Sequence, residues 1–292
     1  MELKIAGHSG CRVEIVRGDE GLVVRKTTGS PSYFDRLRRQ AEKQERFYRD
    51  FASESFSTPR VVRRIENPSC VGMEMVYIHG RSFVDYFENA PYTAPARFCE
   101  RMISFLEREF AESPECAISD ELIQEKWDSV CRTIAANDML KNDRAIKDLR
   151  RASEPLFRRS SGRCWPVGVC HGDLTFSNLL FQEGRIYLID FLDSFVETPL
   201  MDLVKLRQDT RYCWSHMLCK ESFDRLKSRI VMAEIDRRIW DHFSNRSGVA
   251  DGYRELQCMN FWRILQYAHD PMIIEFLKTN IAGFTGDDDA RL

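Results

Sequence analysis

Two apolar segments that end in polar residues constrain the fold of this chain more than any other feature. The first, Val169-Cys170, leads into His171-Gly172-Asp173, and Asn178 follows five residues after Asp173. The second runs from 186 to 189 and ends at Asp190. Short apolar runs bounded by polar residues are typical of buried strands. Two such strands side by side would bring two carboxylates and one carboxamide together, so we expect Asp173, Asn178 and Asp190 to converge.

The residue types at this point predict phosphoryl transfer. A phosphoryl group in transfer carries negative charge that a divalent metal neutralises, and the attacking hydroxyl must be aligned and lose its proton. Carboxylate and amide oxygens suit Mg²⁺ better than the softer metals that thiolate or imidazole attract. We expect Asn178 and Asp190 to bind the metal, Asp173 to act as the base, and His171 to brace the loop. An ordinary loop with capping carboxylates would share the bare spacing, and the flanking strands favour the site.

The stretch from His171 to Asp209 resembles the aminoglycoside phosphotransferase and choline kinase family, which has the protein-kinase fold. It lacks the Arg of a protein kinase's His-Arg-Asp and the Gly of its Asp-Phe-Gly, and no Ala-Pro-Glu follows. The resemblance implies an α+β, bilobal, protein-kinase-like fold with a small β-rich N-terminal lobe and a larger, mainly helical C-terminal lobe. It also implies a transferase that uses ATP or another NTP with Mg²⁺ and phosphorylates a small-molecule hydroxyl.

The first eighty residues independently show a β-rich pattern with glycine punctuation. Short runs rich in Val, Ile and Leu are separated by Gly7, Gly10, Gly18 and Gly21. The first glycine-containing turn would let the main chain of Ser9 and Gly10 approach phosphate, although a plain hairpin turn would look the same. Strand alternation sends Val24 and Lys26 to one side, so we expect Lys26 to face the phosphates.

A helix predicted over 34–51 should supply an acidic partner for Lys26. Glu42 lies at a family-like distance in sequence but projects away from the apolar stripe, whereas Glu45 lies nearer the edge of the stripe. Gln44 lies on the stripe itself, and a neutral residue in the partner position would depart from the family. We select Glu45 as the predicted partner.

The next strand, over 71–76, resembles the hinge strand of the family. By this resemblance, adenine would bind main-chain groups of Val76 and Ile78, with Met75 at the back of the pocket and Leu180 and Ile189 beneath the ring. The predicted domains are therefore a nucleotide-binding lobe at 1–80, with its hinge at about 75–80, and a helical lobe at 81–292 that carries the catalytic loop and the acceptor site.

Composition favours a cytoplasmic enzyme without nucleic-acid or membrane partners. The chain has 292 residues, 43% of them hydrophobic and 30% charged, and its formal net charge of -2 does not suggest a nucleic-acid surface. Its 10 cysteines are scattered without a Cys-x-x-Cys pair, which predicts free thiols. No signal peptide and no apolar span of membrane-crossing length are recognised.

The acceptor site is expected after the metal-binding Asp. The candidate residues are Asp193, Asp209, Arg211, Tyr212 and Trp214. Cationic acceptors such as aminoglycosides or choline favour carboxylates and aromatic cages, whereas the interleaved Arg suits a sugar hydroxyl at least as well. The run 189–195 is also similar to phosphotransferases of bacterial surface-polysaccharide pathways.

We therefore predict a kinase for a sugar or polyol, with choline/ethanolamine or aminoglycoside kinase as the alternatives. A catalytically silent nucleotide-binding module is the alternative from another class. Such a module would be expected to have lost at least one of four residues, and all four are present: Lys26, Asp173, Asn178 and Asp190.

Overall fold

The computed structural model describes residues 3–5, 11–19, 21–159 and 162–285. Its strands are β1 (Leu3–Ile5), β2 (Arg12–Gly18), β3 (Gly21–Thr28), β4 (Phe56–Ser57), β5 (Val61–Asn67), β6 (Cys70–Val76), β7 (Glu115–Ala117), β8 (Cys164–Pro166), β9 (Leu179–Gln182) and β10 (Arg185–Leu188). Its α-helices are α1 (Pro31–Asp50), α2 (Phe83–Asn89), α3 (Ala94–Ala111), α4 (Asp120–Ala136), α5 (Arg144–Arg158), α6 (Pro199–Thr210), α7 (Trp214–Leu218), α8 (Arg225–Phe243), α9 (Val249–Leu265) and α10 (Pro271–Thr285).

The chain forms two compact units, each assembled from segments that are distant in sequence. Unit 1 comprises Met1–Phe105, His171–Ser194 and Asp209–Asp236, and unit 2 comprises Leu106–Cys170, Phe195–Gln208 and Arg237–Leu292. Every predicted site residue that the structure describes lies in unit 1. The predicted division at residue 80 stays a prediction.

In unit 1 an antiparallel five-stranded sheet, ordered β1-β2-β3-β6-β5, packs against α1. Pro31 begins α1, as expected at a first helical position, where proline forfeits no intrahelical hydrogen bond. Leu37 and Ala41 of α1 pack into a core with strand residues of the sheet, Met73 and Met75 among them. Burial of these apolar surfaces holds the helix against the face of the sheet that carries Lys26.

A row of charges on the opposite face of this sheet holds three of its strands, β3, β6 and β5, in register. The Glu74 carboxylate on β6 accepts from Arg63 Nη2 on β5 and from Arg25 Nε on β3, both at 2.7 Å. The hydrogen bond from Arg63 is the main cause of the lowered pKa of Glu74. Opposite charges on neighbouring strands favour this pairing over one slipped by a residue. The same register directs Lys26, next to Arg25, to the inner face.

A second sheet of unit 1 carries the segment that leads to Asp190. Strands β9 and β10 form an antiparallel hairpin, and β4 pairs with β10 in parallel. The hairpin turns at Glu183 and Gly184, which both have positive φ (49° and 81°), as a tight type I′ turn requires. Asp190 follows two residues after the end of β10.

Unit 2 is mainly helical. Trp127 of α4 packs against Phe157 of α5 and Trp262 of α9 in its core. Buried Arg163 donates to the buried Glu255 carboxylate at 2.9 Å and also bonds Asp120, so its charge is compensated where water is excluded. Among the described residues, no helix is long and apolar enough to cross a membrane.

Candidate active site

The loop after residue 170 holds Asp173 and Asn178 in direct contact. Asn178 Nδ2 donates to the Asp173 carbonyl at 2.8 Å and to Asp173 Oδ2 at 3.0 Å. A 3₁₀ turn over Phe176–Asn178 folds the chain back and brings the two side chains together. Because the amide nitrogen is used by Asp173, the Asn178 side chain has its oxygen to offer to a cation.

His171 ties this loop to the strand that precedes Asp190. Its ring is fully buried; Nε2 donates to the Ile189 carbonyl at 2.8 Å, and Nδ1 accepts from the Asp173 amide at 3.2 Å. These two bonds require the neutral tautomer with its proton on Nε2. Burial, the largest cause, lowers the pKa of His171 from 6.5 to about 4. The ring is therefore uncharged at neutral pH and braces the loop.

Gly172 allows the segment after Asp190 to lie directly against the loop. Its φ is +88°, and a Cβ at this position would lie 2.5 Å from the Leu192 carbonyl oxygen. The Leu192 amide donates to the His171 carbonyl at 3.1 Å. A side chain at position 172 would separate these two segments, so the close approach requires glycine.

Asp190 lies directly after a residue that is bonded to the loop, and its side chain pairs with Lys26. Its backbone is left-handed (φ +59°), a conformation that Asp and Asn tolerate better than most residues. The preceding Ile189 amide donates to the Asn178 carbonyl at 3.0 Å. Lys26 Nζ lies 3.2 Å from Asp190 Oδ1. Lys26 therefore contacts Asp190, and the residue before Asp190 bonds the backbone of Asn178, whose side chain bonds Asp173.

The predicted pairing of Lys26 with Glu45 is wrong. Glu45 bonds Arg64 on β5, with Oε1 accepting from Arg64 Nε at 2.9 Å, and Glu42 also pairs with Arg64. Lys26 Nζ instead lies 3.3 Å from Gln40 Oε1. Gln40 lies three residues after Leu37, on the same buried face of α1, whereas Glu45 faces outward.

The sequence analysis missed Gln40. The feature that could have identified it is a polar residue within the apolar stripe of α1. Gln44, the glutamine that the sequence analysis did consider, is also buried but donates to the Pro59 carbonyl at 2.7 Å. The two glutamines therefore have different partners on the same helix face.

Asp193 pairs with helix α1 in the structure, and its contact with the acceptor stays a prediction. Asp193 Oδ2 accepts from Arg39 of α1 at 2.9 Å (Nε) and 2.7 Å (Nη2). Lys43, one turn further along α1, donates to the Leu192 carbonyl at 2.7 Å. Asp193 therefore belongs to a clamp through which α1 holds the segment after Asp190.

Asp209 forms hydrogen bonds inside the protein and is not exposed to a substrate. It is fully buried; its carboxylate accepts from the Phe176 amide and from the amide and hydroxyl of Ser215. Burial raises the pKa of Asp209 from 3.8 to about 6. Its place as an acceptor-binding residue is therefore corrected to a support of the catalytic loop. The three other candidates lie in or beside the turn between α6 and α7, and their role stays a prediction: Arg211, Tyr212 and Trp214.

The predicted hinge is bonded into the sheet and approaches β9 closely. The Val76 amide donates to the Arg60 carbonyl at 3.0 Å, so this amide is used within the sheet. A Cβ on Gly80 would lie 2.6 Å from Leu180 Cβ, and Arg81 exchanges two backbone hydrogen bonds with Phe181. The hinge end is thus held beside Leu180, which the sequence analysis placed beneath the nucleotide.

Other predicted nucleotide contacts are only partly described. Met75 is buried, and Ile78 and Ile189 are partly exposed. Ser9 and Gly10 lie outside the described residues. Their contacts with a nucleotide stay predictions.

The donor set suits a magnesium ion shared with a nucleotide. No group of three or more His, Cys, Asp or Glu side chains that could hold a metal is present in the part of the chain that is described. Mg²⁺ is usually held by one or two carboxylates together with substrate phosphates rather than by an all-protein cage. One carboxylate (Asp190) and one amide oxygen (Asn178) fit this mode.

Neutral His171 predicts a pH-dependent stability difference. The His171 ring takes up a proton near pH 6.5 in the unfolded chain but only near pH 4 in the folded protein. Its contribution to the free energy of unfolding is therefore fully present above pH 6.5 and is lost as pH falls toward 4. At about 1.4 kcal/mol per pKa unit, the stability that is lost reaches ~3 kcal/mol. Asp209, with its raised pKa, acts in the opposite direction. The expectation therefore concerns the difference in unfolding free energy between the parent and His171→Asn, which should shrink as pH falls from 7 to 4.

Denaturant unfolding at several pH values measures this difference. His269→Asn, at an exposed histidine between α9 and α10, is the matched control and should leave the pH dependence unchanged. A His171→Asn difference that stays constant from pH 7 to 4 would contradict a neutral, buried ring.

Comparison with known proteins shows the family of this chain. A model of the phosphotransferase enzyme family (APH) matches residues 6–237. KEOPS complex subunit Bud32 of Pyrococcus abyssi is 38% identical over 63 residues, which are 19% of this chain; the chain spans only 29% of the length of that protein.

Solved structures share the fold at low sequence identity. One is a thermostable mutant of aminoglycoside phosphotransferase APH(4)-Ia in complex with AMP-PNP and hygromycin B (TM-score 0.62, 12% identity, 98% of this chain and 94% of that one). Another is a choline/ethanolamine kinase family protein from Mesorhizobium loti (TM-score 0.58, 16% identity, 100% and 90%). The predicted α+β, protein-kinase-like fold is confirmed. The chain belongs to the phosphotransferase enzyme family.

Proposed function

We propose that this protein is a kinase that transfers the γ-phosphoryl group of Mg-ATP to a hydroxyl of a sugar or polyol, in surface-polysaccharide biosynthesis. The observation that supports it most is one arrangement: Lys26 pairs with Asp190, the amide of the preceding Ile189 bonds the Asn178 carbonyl, and the Asn178 side chain bonds Asp173. It combines a phosphate-binding cation, two oxygen donors for a metal and a base. A silent nucleotide-binding module would have no need to retain all four.

Each of these side chains has a distinct role in the proposal. Asp173 aligns the acceptor hydroxyl and takes its proton, while Asn178 orients the Asp173 carboxylate through its amide. Lys26 binds phosphate oxygens. Asn178 and Asp190 would hold Mg²⁺, which neutralises the charge that develops on the transferred group. His171 contributes no proton and keeps the loop in place.

The nucleotide would lie between the hinge and the strand segments near Asp190. The Val76 carbonyl and the main chain of Ile78 would bind adenine, since the Val76 amide is already used by the sheet. Leu180 and Ile189 would contact the ring, and Met75 would close the back of the pocket. The main chain of Ser9 and Gly10 would contact the phosphates.

The charges near the site favour a neutral or anionic acceptor over a cationic one. The two carboxylates that the sequence suggested for a cationic acceptor are used elsewhere: Asp193 pairs with Arg39, and Asp209 is buried against backbone amides. Aminoglycosides and choline would thus lose two negatively charged contacts. Arg211, Tyr212 and Trp214 remain as proposed acceptor contacts, and they suit sugar hydroxyl groups.

A panel of acceptors tests this proposal directly. Transfer of radioactive phosphate from ATP would be measured with sugars, sugar derivatives, polyols, aminoglycosides, choline and ethanolamine. We expect a carbohydrate or polyol to be phosphorylated at least about tenfold faster than any cationic amine, because two lost charge contacts weaken cation binding. The Asp173→Asn variant is the control for contaminating kinases. Selective phosphorylation of an aminoglycoside or of choline would overturn the acceptor class, and transfer to no acceptor would favour the silent module.

A further inference from the structure

We propose that Gln40 is the positioning residue for Lys26, a neutral side chain that holds the lysine in place without neutralising it. The inference rests on the proposed role of Lys26 as a ligand of the nucleotide phosphates. It concerns the residue that decides where the ammonium group lies.

The contact between the two side chains is buried. Gln40 is 1% exposed and Lys26 is 4% exposed, with Gln40 Oε1 3.3 Å from Lys26 Nζ. An ammonium group can only donate hydrogen bonds, so it requires the carbonyl end of the Gln40 amide. The nitrogen end lies 3.5 Å from the Tyr33 hydroxyl, also on α1. The Gln40 amide is therefore oriented by two neighbours: Lys26 donates to its oxygen, and the Tyr33 hydroxyl accepts from its nitrogen.

The packing of α1 leaves Gln40 little freedom to move. Leu37 and Ala41, which flank it on the same face, belong to the core between α1 and the sheet. Arg39 and Lys43 of the same helix hold Asp193 and the Leu192 carbonyl. Helix α1 therefore positions Lys26 through Gln40 and also holds the segment that follows Asp190.

The partner of Lys26 on α1 is neutral, which distinguishes this arrangement from one with a carboxylate at position 40. Lys26 and Asp190 carry one charge each, and a neutral Gln40 leaves that pair balanced. A carboxylate at position 40 would compete with Asp190 for the same ammonium group, since both would lie within about 4 Å of it. With Gln40 and Asp190 accepting two of the three N–H groups of Lys26, the third can donate to a phosphate oxygen.

Nucleotide affinity in the full-length protein tests this role. Dissociation constants for Mg-ATP, Mg-ADP and adenosine would be measured by calorimetry for the parent, Gln40→Leu and Gln40→Glu. We expect Gln40→Leu to weaken ATP and ADP binding about tenfold, as for a lost hydrogen bond to a charged group, and to change adenosine binding less than twofold. Gln40→Glu keeps an acceptor oxygen but brings a second carboxylate to the lysine, so it should weaken ATP binding about threefold, less than Gln40→Leu does, and leave adenosine binding unchanged.

Two further variants separate positioning from packing. Gln44→Leu, at the other buried glutamine of this face, should lower the melting temperature without changing the ratio of ATP to adenosine affinity. In a Lys26→Met background, Gln40→Leu should cause no further loss of ATP affinity.

Three results would overturn the assignment: an unchanged ATP affinity in Gln40→Leu, an equal loss for adenosine, or additive losses in the double variant. If Lys26→Met alone left ATP binding intact, the proposed role of the lysine would fail, and that of Gln40 with it.

Discussion

Replacing Asp173 with Asn should reduce phosphoryl transfer by about 10³-fold, since positioned proton transfer contributes roughly 10²- to 10⁴-fold. The oxygen of the introduced carboxamide can still accept from Asn178 Nδ2, so the loop should keep its shape. The affinity for Mg-ATP should therefore stay within about twofold of the parent. Initial rates with the best acceptor of the panel and calorimetry with Mg-ATP measure the two quantities.

The separation of these two effects is the strength of the test. Asp138→Asn, at a carboxylate that pairs with Lys141 at the surface, controls for nonspecific loss of activity and should leave both quantities unchanged. If Asp173→Asn kept turnover within a few fold of the parent, the base would have to be another group.

Replacing Asp190 with Asn should abolish metal-dependent nucleotide binding. Asn is the suitable substitution because position 190 has φ +59°, where an alanine would add backbone strain to the loss of charge. Loss of a hydrogen-bonding partner that carries a charge costs about 1.5–3 kcal/mol, so Mg-ATP affinity should fall by at least about tenfold. Lys26, which lies 3.2 Å from Asp190 Oδ1, would also lose its anionic partner.

Calorimetric titrations of ATP with and without Mg²⁺ measure this loss. The parent should bind ATP more tightly with the metal than without it, and Asp190→Asn should show little difference between the two conditions. The matched control is Asp193→Asn, three residues further on, which pairs with Arg39 and should retain the metal effect. An undiminished metal effect in Asp190→Asn would remove this carboxylate from the metal site.

The main features of the site could be predicted because they are local in sequence. Asp173 and Asn178 are five residues apart, and a single 3₁₀ turn brings them into contact. Lys26 follows from strand alternation, since a period of two leaves only two faces to choose from. Short-range geometry therefore sufficed for the convergence of Asp173 and Asn178 and for the face on which Lys26 lies.

The partner of Lys26 could not be predicted in the same way. At about 100° per residue, a stripe of apolar positions locates a helix face only to within one or two residues. The sequence analysis weighed Glu42, Gln44 and Glu45, whereas the neighbour of Lys26 is Gln40, which depends on where α1 meets the sheet. Arg64, on a strand 19 residues beyond Glu45, provides that glutamate with a different partner.

The roles of Asp193 and Asp209 likewise depended on contacts that are distant in sequence. Arg39 lies 154 residues from Asp193, and Phe176 lies 33 residues from Asp209. By itself the sequence determined the α+β class and the family, because the resemblance is carried by motifs that are short and local, and it predicted Asp173, Asn178, Asp190 and Lys26 as the reactive side chains. Only the tertiary structure decided which charges are used inside the protein, because such pairing depends on which distant segments are packed together.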